Sequence, residues 1–354
     1  MTKTKYVFIT PSLGAGGLER VAINLANRGG GNREICLITL SPETPFYAID
    51  ASVNVIRYPI ANSTGSAFII FLKKLIWLRK ALVTIKPNII CCFGERYNPY
   101  FILSSLGLSG KIIVLNRASP LSYISGYRKI LGACSYAFAD LVVFQTETAR
   151  RIVKKEYGLI NTSVIGNPID LTFPKRNREN IIINIGSFSG YKNQVNLIEI
   201  FNDIVKQGIQ NWQLHFIGSG VNLELCMERV REYGLTSYVI FHGQAKDVKT
   251  LLAKSKIFAF VSRSEGFPNA LAEALACGCA SIAYDCVAGP ADLIDDGKNG
   301  FLIPLDNQIV YQQRLLNLME DNFLREKFSV NSVHKMRKFD SSYIAERFFK
   351  EIAI

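Results

Sequence analysis

The chain has 354 residues, 49% hydrophobic and 20% charged, with a formal net charge of +12. That length and balance exclude a single small domain and fit a globular protein with material for two cores. The charge is lopsided: residues 1–167 hold 20 Lys/Arg against 8 Asp/Glu, and residues 168–354 hold 21 of each. The first half should therefore attract something anionic, be it a membrane surface, a phosphorylated substrate or a nucleic acid.

The first residues run straight into an apolar strand at 6–10, too short a run for a secretory signal. Strands are predicted at 6–10, 34–40, 89–93, 111–115, 141–144 and 163–165. A second series follows at 181–185, 213–217, 239–241, 257–261 and 280–284. Several are near-continuous apolar runs, as parallel strands buried on both faces require. Helical patterns between them predict doubly wound α/β sheets. The polar Gly166-Asn167-Pro168-Ile169-Asp170 stretch reads as a linker, so domains are expected at 1–166 and 167–340, with a last helix at about 341–354.

After the first strand, Pro11-Ser12-Leu13-Gly14-Ala15-Gly16-Gly17-Leu18-Glu19-Arg20 forms a glycine-rich strand-to-helix turn, whose backbone N–H groups can approach an anion. Glu19 occupies the third glycine position of the dinucleotide fingerprint, which argues against NAD. Residues 68–82 form a basic amphipathic helix, with Lys73, Lys74, Arg79 and Lys80 beside Phe71, Leu75, Ile76 and Trp77. Core packing and membrane-surface docking both fit that pattern, and the charge asymmetry tilts it towards docking. No aromatic-interleaved basic stripe or nucleic-acid module occurs, so nucleic acid is not an expected partner. No run of about 18 apolar residues predicts a membrane-crossing helix. The eight cysteines include no Cys-x-x-Cys pair and only three histidines accompany them, so free thiols in a reducing cytosol are expected and structural metal is not.

The most informative stretch is Ser264-Glu265-Gly266-Phe267-Pro268-Asn269-Ala270-Leu271-Ala272-Glu273-Ala274. Strong helix formers follow Asn269, a favoured N-cap residue. Glu265 should then lie on a loop past the carboxyl end of a strand, with Glu273 in the first turns of the next helix. Free N–H groups at that helix start can hold a phosphate. A carboxylate on each side of a phosphate site suits a ligand with hydroxyls at both ends and an anionic middle, such as a nucleotide sugar.

This segment resembles the Glu-x7-Glu signature of glycosyltransferase family 4, retaining enzymes of the GT-B fold, in which two Rossmann-like domains face each other across a cleft. The resemblance implies that Glu265 contacts hydroxyls of the donor sugar and Glu273 those of the ribose. It places Gly16, Gly17, Ser187, Lys192, Arg263, Gly266, Phe267, Pro268, Asn269 and Ala270 at the donor as well, and Arg117 on the acceptor side. It also implies that the last helix packs back on the first domain. Ser187 stands where the family usually has Arg, so Lys192, with Glu265 a catalytic candidate, must carry more of the diphosphate charge, or Arg263 or another cation must help. Gly218 and Gly220 resemble a turn near the nucleobase, and Asn116-Arg117-Ala118-Ser119-Pro120 resembles a segment of bacterial surface-polysaccharide enzymes. No Asp-x-Asp motif occurs, so neither metal nor cofactor is expected beyond the nucleotide-sugar co-substrate. The implied activity is transfer of a hexose or N-acetylhexosamine, with UDP the expected carrier, to a lipid-linked oligosaccharide of O-antigen or capsule synthesis. It would occur at the inner face of the cell membrane. A nucleotide-sugar epimerase of similar fold, and an inactive sugar-nucleotide-binding subunit, remain open alternatives.

Overall fold

The computed structural model describes residues 3–14, 16–59, 66–122, 129–130, 132–133, 136–245 and 247–353. Ala15 of the glycine turn and Cys134 lie outside them. Two compact units emerge: Met1–Pro168 with Ser341–Ile354, and Ile169–Asp340.

The first unit is a seven-stranded parallel sheet. Its strands are β1 (Thr4–Thr10), β2 (Arg33–Thr39), β3 (Asn54–Arg57), β4 (Ile89–Phe93), β5 (Lys111–Leu115), β6 (Leu141–Phe144) and β7 (Thr162–Val164). Their order is β3-β2-β1-β4-β5-β6-β7. Central β1 and β4 are apolar on both faces: Val7, Phe8, Ile9, Cys91, Cys92 and Phe93 have no exposed surface. The helix Ser341–Ile352 closes this core, setting Phe349 edge-on to Tyr6 at 5.4 Å and Phe348 edge-on to Phe8 at 6.0 Å. Such edge-to-face pairs stabilise beyond the area they bury.

The amphipathic helix runs Ala67–Ile85, capped by the Ser66 hydroxyl, which accepts from the Ile69 N–H. It stops at Lys86, in a left-handed conformation ahead of Pro87. Leu78 and Leu82 are buried, whereas Phe68, Ile69, Phe71, Leu72 and Ile76 are exposed. Two members of the expected docking face are otherwise engaged. Arg79 donates to the carbonyls of Ser104 (3.1 Å) and Leu106 (2.5 Å), satisfying the end of the helix Asn98–Ser105. Trp77 stacks edge-on against buried Tyr58 at 5.3 Å.

The second unit repeats the plan with six parallel strands. They are β8 (Glu179–Ile185), β9 (Gln213–Ile217), β10 (Val239–Phe241), β11 (Ser255–Phe260), β12 (Ala280–Asp285) and β13 (Phe301–Pro304). The order is β10-β9-β8-β11-β12-β13. Ile182, Phe201, Phe216, Ile257, Leu315 and Phe328 are among the residues that fill its core. In both units the strand order reverses at the centre, between β1 and β4 and between β8 and β11. Open α/β sheets bind ligands outside the carboxyl ends of strands at such a reversal. Sequence patterning misses β3 and β13, short edge strands: β3 is polar at both ends, and β13 ends in proline.

The seven described cysteines are unpaired, and all but partly exposed Cys277 are buried. Among the described residues no helix is long and apolar enough to cross a membrane.

Candidate active site

Two loops meet at the reversal point of the second sheet. The loop after β8 is held against the end of β9 by two backbone bonds, Gly186 N–H to the Ile217 carbonyl (3.0 Å) and Phe188 N–H to that of Ser219 (2.9 Å). This approach leaves no room for side chains. A Cβ on Gly218 would lie 1.9 Å from the Gly186 carbonyl oxygen, and one on Gly220 2.4 Å from that of Phe188. These glycines are therefore required by backbone packing, whatever binds nearby. The loop then makes one 3-10 turn, Gly190–Lys192, and enters the helix Gln194–Lys206 through Asn193 at φ 59°. Asn is one of the few side chains that tolerates this left-handed geometry.

The loop after β11 is tied to the first by the Arg263 N–H, which donates to the Tyr191 carbonyl (2.8 Å). That bond brings Lys192 Nζ to 2.6 Å from Glu265 Oε1, with the side chains 18% and 11% exposed. The sheet reversal thus carries a charge-assisted pair, largely withdrawn from water. Behind it, Ser264 bridges Val287, and Gly289 lies so close to Pro268 that a Cβ would fall 2.3 Å from its ring. Buried Cys286 is no nucleophile here: burial, reinforced by the carboxylates of Glu265 and Asp285, pushes its thiol up to about 12.

Phe267 is buried edge-on to Phe339 at 5.8 Å, which anchors the turn into the helix Asn269–Ala276. The expected cap is corrected: Pro268, which has no side-chain acceptor, holds the N-cap position, and Asn269 is the first helical residue. Proline supplies fixed backbone geometry without a side-chain acceptor; the Asn269 N–H donates to the Phe267 carbonyl (2.9 Å), so an anion would be met by the N–H groups that follow it in the first turn. Leu271, Ala272, Ala274 and Leu275 are buried, while Asn269, Ala270 and Glu273 reach the surface on the opposite face. Glu273 is thus one turn along from the helix start, on its accessible side.

The other residues singled out by the sequence fall elsewhere around this point. Ser187 is exposed, its hydroxyl 3.5 Å from that of Ser189, and its carbonyl accepts from Gln194. The Arg263 guanidinium is turned to Asp306 (2.9 Å), a half-exposed pair that patterning did not anticipate. In the first unit, Gly16 precedes the helix Gly17–Asn27, and the carboxylate of Glu19 folds back so far that a Cβ on Gly16 would collide with it. Ser12 donates to the same carboxylate at 2.6 Å. This helix start therefore already faces a carboxylate of its own chain. Arg117 is buried and donates to the Asn167 side chain at 2.6 Å. Among the described residues no group of three His, Cys, Asp or Glu side chains is arranged to hold a metal ion.

Residues 171–335, nearly all of the second unit, match the family described as glycosyl transferases group 1. A Campylobacter jejuni GalNAc-alpha-(1->4)-GalNAc-alpha-(1->3)-diNAcBac-PP-undecaprenol alpha-1,4-N-acetyl-D-galactosaminyltransferase is 27% identical, over 99% of this chain and 98% of its own. The amylovoran biosynthesis glycosyltransferase AmsD of Erwinia amylovora is 26% identical, over 89% of this chain and 90% of its own. Among solved structures, Anabaena Alr3699/HepE in complex with UDP superposes with a TM-score of 0.80 at 17% identity, covering 99% of this chain and 100% of that one. That likeness shows the fold.

Proposed function

We propose, for a chain whose residues 171–335 match the group 1 glycosyl transferases and which carries the Rossmann-like domain pair of the GT-B fold, transfer of a hexose or N-acetylhexosamine from a UDP-linked donor to a lipid-linked oligosaccharide, with retention at the anomeric carbon. The observation that carries this reading is the Lys192–Glu265 pair at the reversal point of the second sheet, next to a helix start with Pro268 at its N-cap. The diphosphate occupies the helix start and draws Lys192 away from Glu265, which then turns to the sugar hydroxyls. Glu273, one turn along, receives the ribose hydroxyls. The bond from the anomeric carbon to the phosphate oxygen breaks, and the acceptor hydroxyl attacks from the same face. Its proton passes to the departing phosphate, whose charge Lys192 and the helix start stabilise. No metal or other cofactor enters this scheme. UDP is favoured by the name of the HepE complex, and the lipid-linked acceptor by that of the Campylobacter relative. Labelled donor incubated with membrane lipid extract tests the reading: label should enter lipid. Release of free sugar or an epimer alone, or no turnover, would count for the epimerase or the inactive subunit.

The two carboxylates should separate in kinetics. Glu273→Gln keeps its shape and loses the charge that strengthens bonds to ribose hydroxyls. It is expected to weaken UDP binding about tenfold, whereas Glu265→Gln lowers kcat more than affinity. Calorimetric titration with UDP and steady-state rates check both; two variants with wild-type constants would remove the site.

We place the enzyme peripherally on the inner membrane face, through the helix Ala67–Ile85. Phe68 is 67% and Ile76 55% exposed there, Lys73 and Lys80 are exposed beside them, and residues 67–86 contain no Asp or Glu. Each Lys near an anionic leaflet adds about 1 kcal/mol, screened by salt. Wild type is expected to co-sediment with phosphatidylserine vesicles at low salt and to dissociate as salt rises. Changing Lys73, Lys74 and Lys80 to Gln should release it with UDP affinity intact. Arg79 is excluded from that set because its guanidinium closes a helix end. A wild type that stays in solution at low salt would contradict the placement.

A further inference from the structure

At the carboxyl ends of β4 and β5 the first unit carries a second polar cluster. The strands are paired through Phe93 and Leu115, so the residues just beyond them, Glu95 and Arg117, emerge side by side. The partly buried Glu95 carboxylate accepts from the Ala118 N–H at 2.6 Å, tying the 116–120 loop to β4. Arg117, 9% exposed, is fixed at one end by Asn167, while its Nε has no hydrogen-bond partner among the described residues. Asn98, first in the helix Asn98–Ser105, is 1% exposed, and neither atom of its amide has a partner among them. Buried amides and guanidinium nitrogens without partners cost free energy, and each calls for a partner such as a ligand group or an ordered water. This edge flanks the β1–β4 reversal, the ligand-binding position of an open α/β sheet.

We propose that Glu95 is a positioning residue for the acceptor: its carboxylate orients Arg117 and the 116–120 loop to receive the hydroxyl-bearing acceptor sugar. The inference rests on the glycosyltransfer reading above and adds a residue that neither the sequence pattern nor the donor site supplies. Burial raises the Glu95 carboxyl to about 7, opposed by the backbone N–H groups of Glu95 and Ala118 and then by the Arg117 charge; burial lowers Arg117 to about 10. Among the described residues Tyr136 also feels the Glu95 charge; its hydroxyl accepts from Asn116 at 3.0 Å, and burial and that charge keep it protonated. Near neutral pH, then, Glu95 is the one of these three groups that changes charge. Its folded-state value is raised, so the carboxylate is present above about pH 7 and is lost as pH falls through it. Acceptor binding should weaken in the same direction.

Wild type and Glu95→Gln are compared from pH 6 to 8 for UDP affinity and for transfer to polyprenyl-diphosphate-linked N-acetylgalactosamine. The wild-type acceptor KM is expected to rise about tenfold from pH 8 to pH 6, as the ionised fraction falls. The variant, which can still accept the Ala118 N–H, should be flat at the wild type's low-pH value, with UDP affinity equal to wild type throughout. A variant that keeps the wild-type pH profile, or loses UDP affinity in parallel, overturns the positioning role. Wild type that binds UDP without transferring to this lipid overturns the acceptor assignment. Wild type that fails to bind UDP overturns the donor reading instead.

Discussion

Lys192→Ala is expected to lower kcat by about 100- to 1000-fold, the scale seen when one preorganised donor to a developing charge is removed. The reason is local. Lys192 is the side-chain cation in hydrogen-bond contact with Glu265, and Ser187 brings no charge to the same loop. The Arg263 guanidinium is paired with Asp306. The variant also leaves the largely buried Glu265 carboxylate without this partner, a cost of about 1–3 kcal/mol that should appear as a lower melting temperature. UDP should restore less of that loss than in wild type, because the diphosphate has lost its cation. In this metal-free scheme, EDTA leaves wild-type transfer unchanged. Rates of transfer with and without EDTA, alongside thermal melts, check the prediction. A variant with full turnover, or a wild type silenced by EDTA, would show that the diphosphate charge is met by other means.

The largest effect on stability is expected from Gly218→Ala. The new Cβ would sit 1.9 Å from the Gly186 carbonyl oxygen, on backbone at φ 144°. Neither backbone can yield without breaking the Gly186 N–H bond to Ile217 that seats the loop bearing Lys192. A loss of roughly 3–5 kcal/mol follows from strain combined with the clash. Gly208→Ala is the control, since Gly208 also has positive φ, at 92°, but nothing lies within 4 Å of its Cβ. It should cost only about 1–2 kcal/mol, the price of left-handed geometry alone. Urea unfolding of both variants decides the matter; equal losses would mean that the close approach of the two loops is unimportant.

The strands that cross the cores were legible because burial on both faces demands uninterrupted apolar runs, as in Ile181-Ile182-Ile183 and Ile89-Ile90-Cys91-Cys92. Edge strands escape that demand, which is why β3 and β13 left no such mark. At the site, the Glu-x7-Glu spacing pointed to the loop and helix that follow β11. The contact between Glu265 and Lys192 was not readable, because it joins residues 73 positions apart through one backbone bond from Arg263 to Tyr191. The glycines of the Gly218-Ser219-Gly220 turn were readable as a turn; what compels them is a neighbouring carbonyl that only the fold supplies. Arg79 shows the opposite failure. Its helical position matched a lipid-facing cation, yet two orphan carbonyls at the end of a neighbouring helix claim it. Glu95 belongs to no periodic pattern at all. Its significance arises from the strand pairing that sets it beside Arg117.

The helix Ser341–Ile352 has a consequence for biogenesis. The first unit is discontinuous in the chain, with residues 169–340 intervening between its sheet and the helix that covers Tyr6 and Phe8. On the ribosome the second unit is contiguous and can mature while synthesis proceeds. The seven-stranded sheet emerges earlier yet waits for Phe348 and Phe349, translated after the whole second unit, before that patch is shielded. Nascent chains therefore pass through an interval with an uncovered aromatic surface, during which a holdase has something to grip.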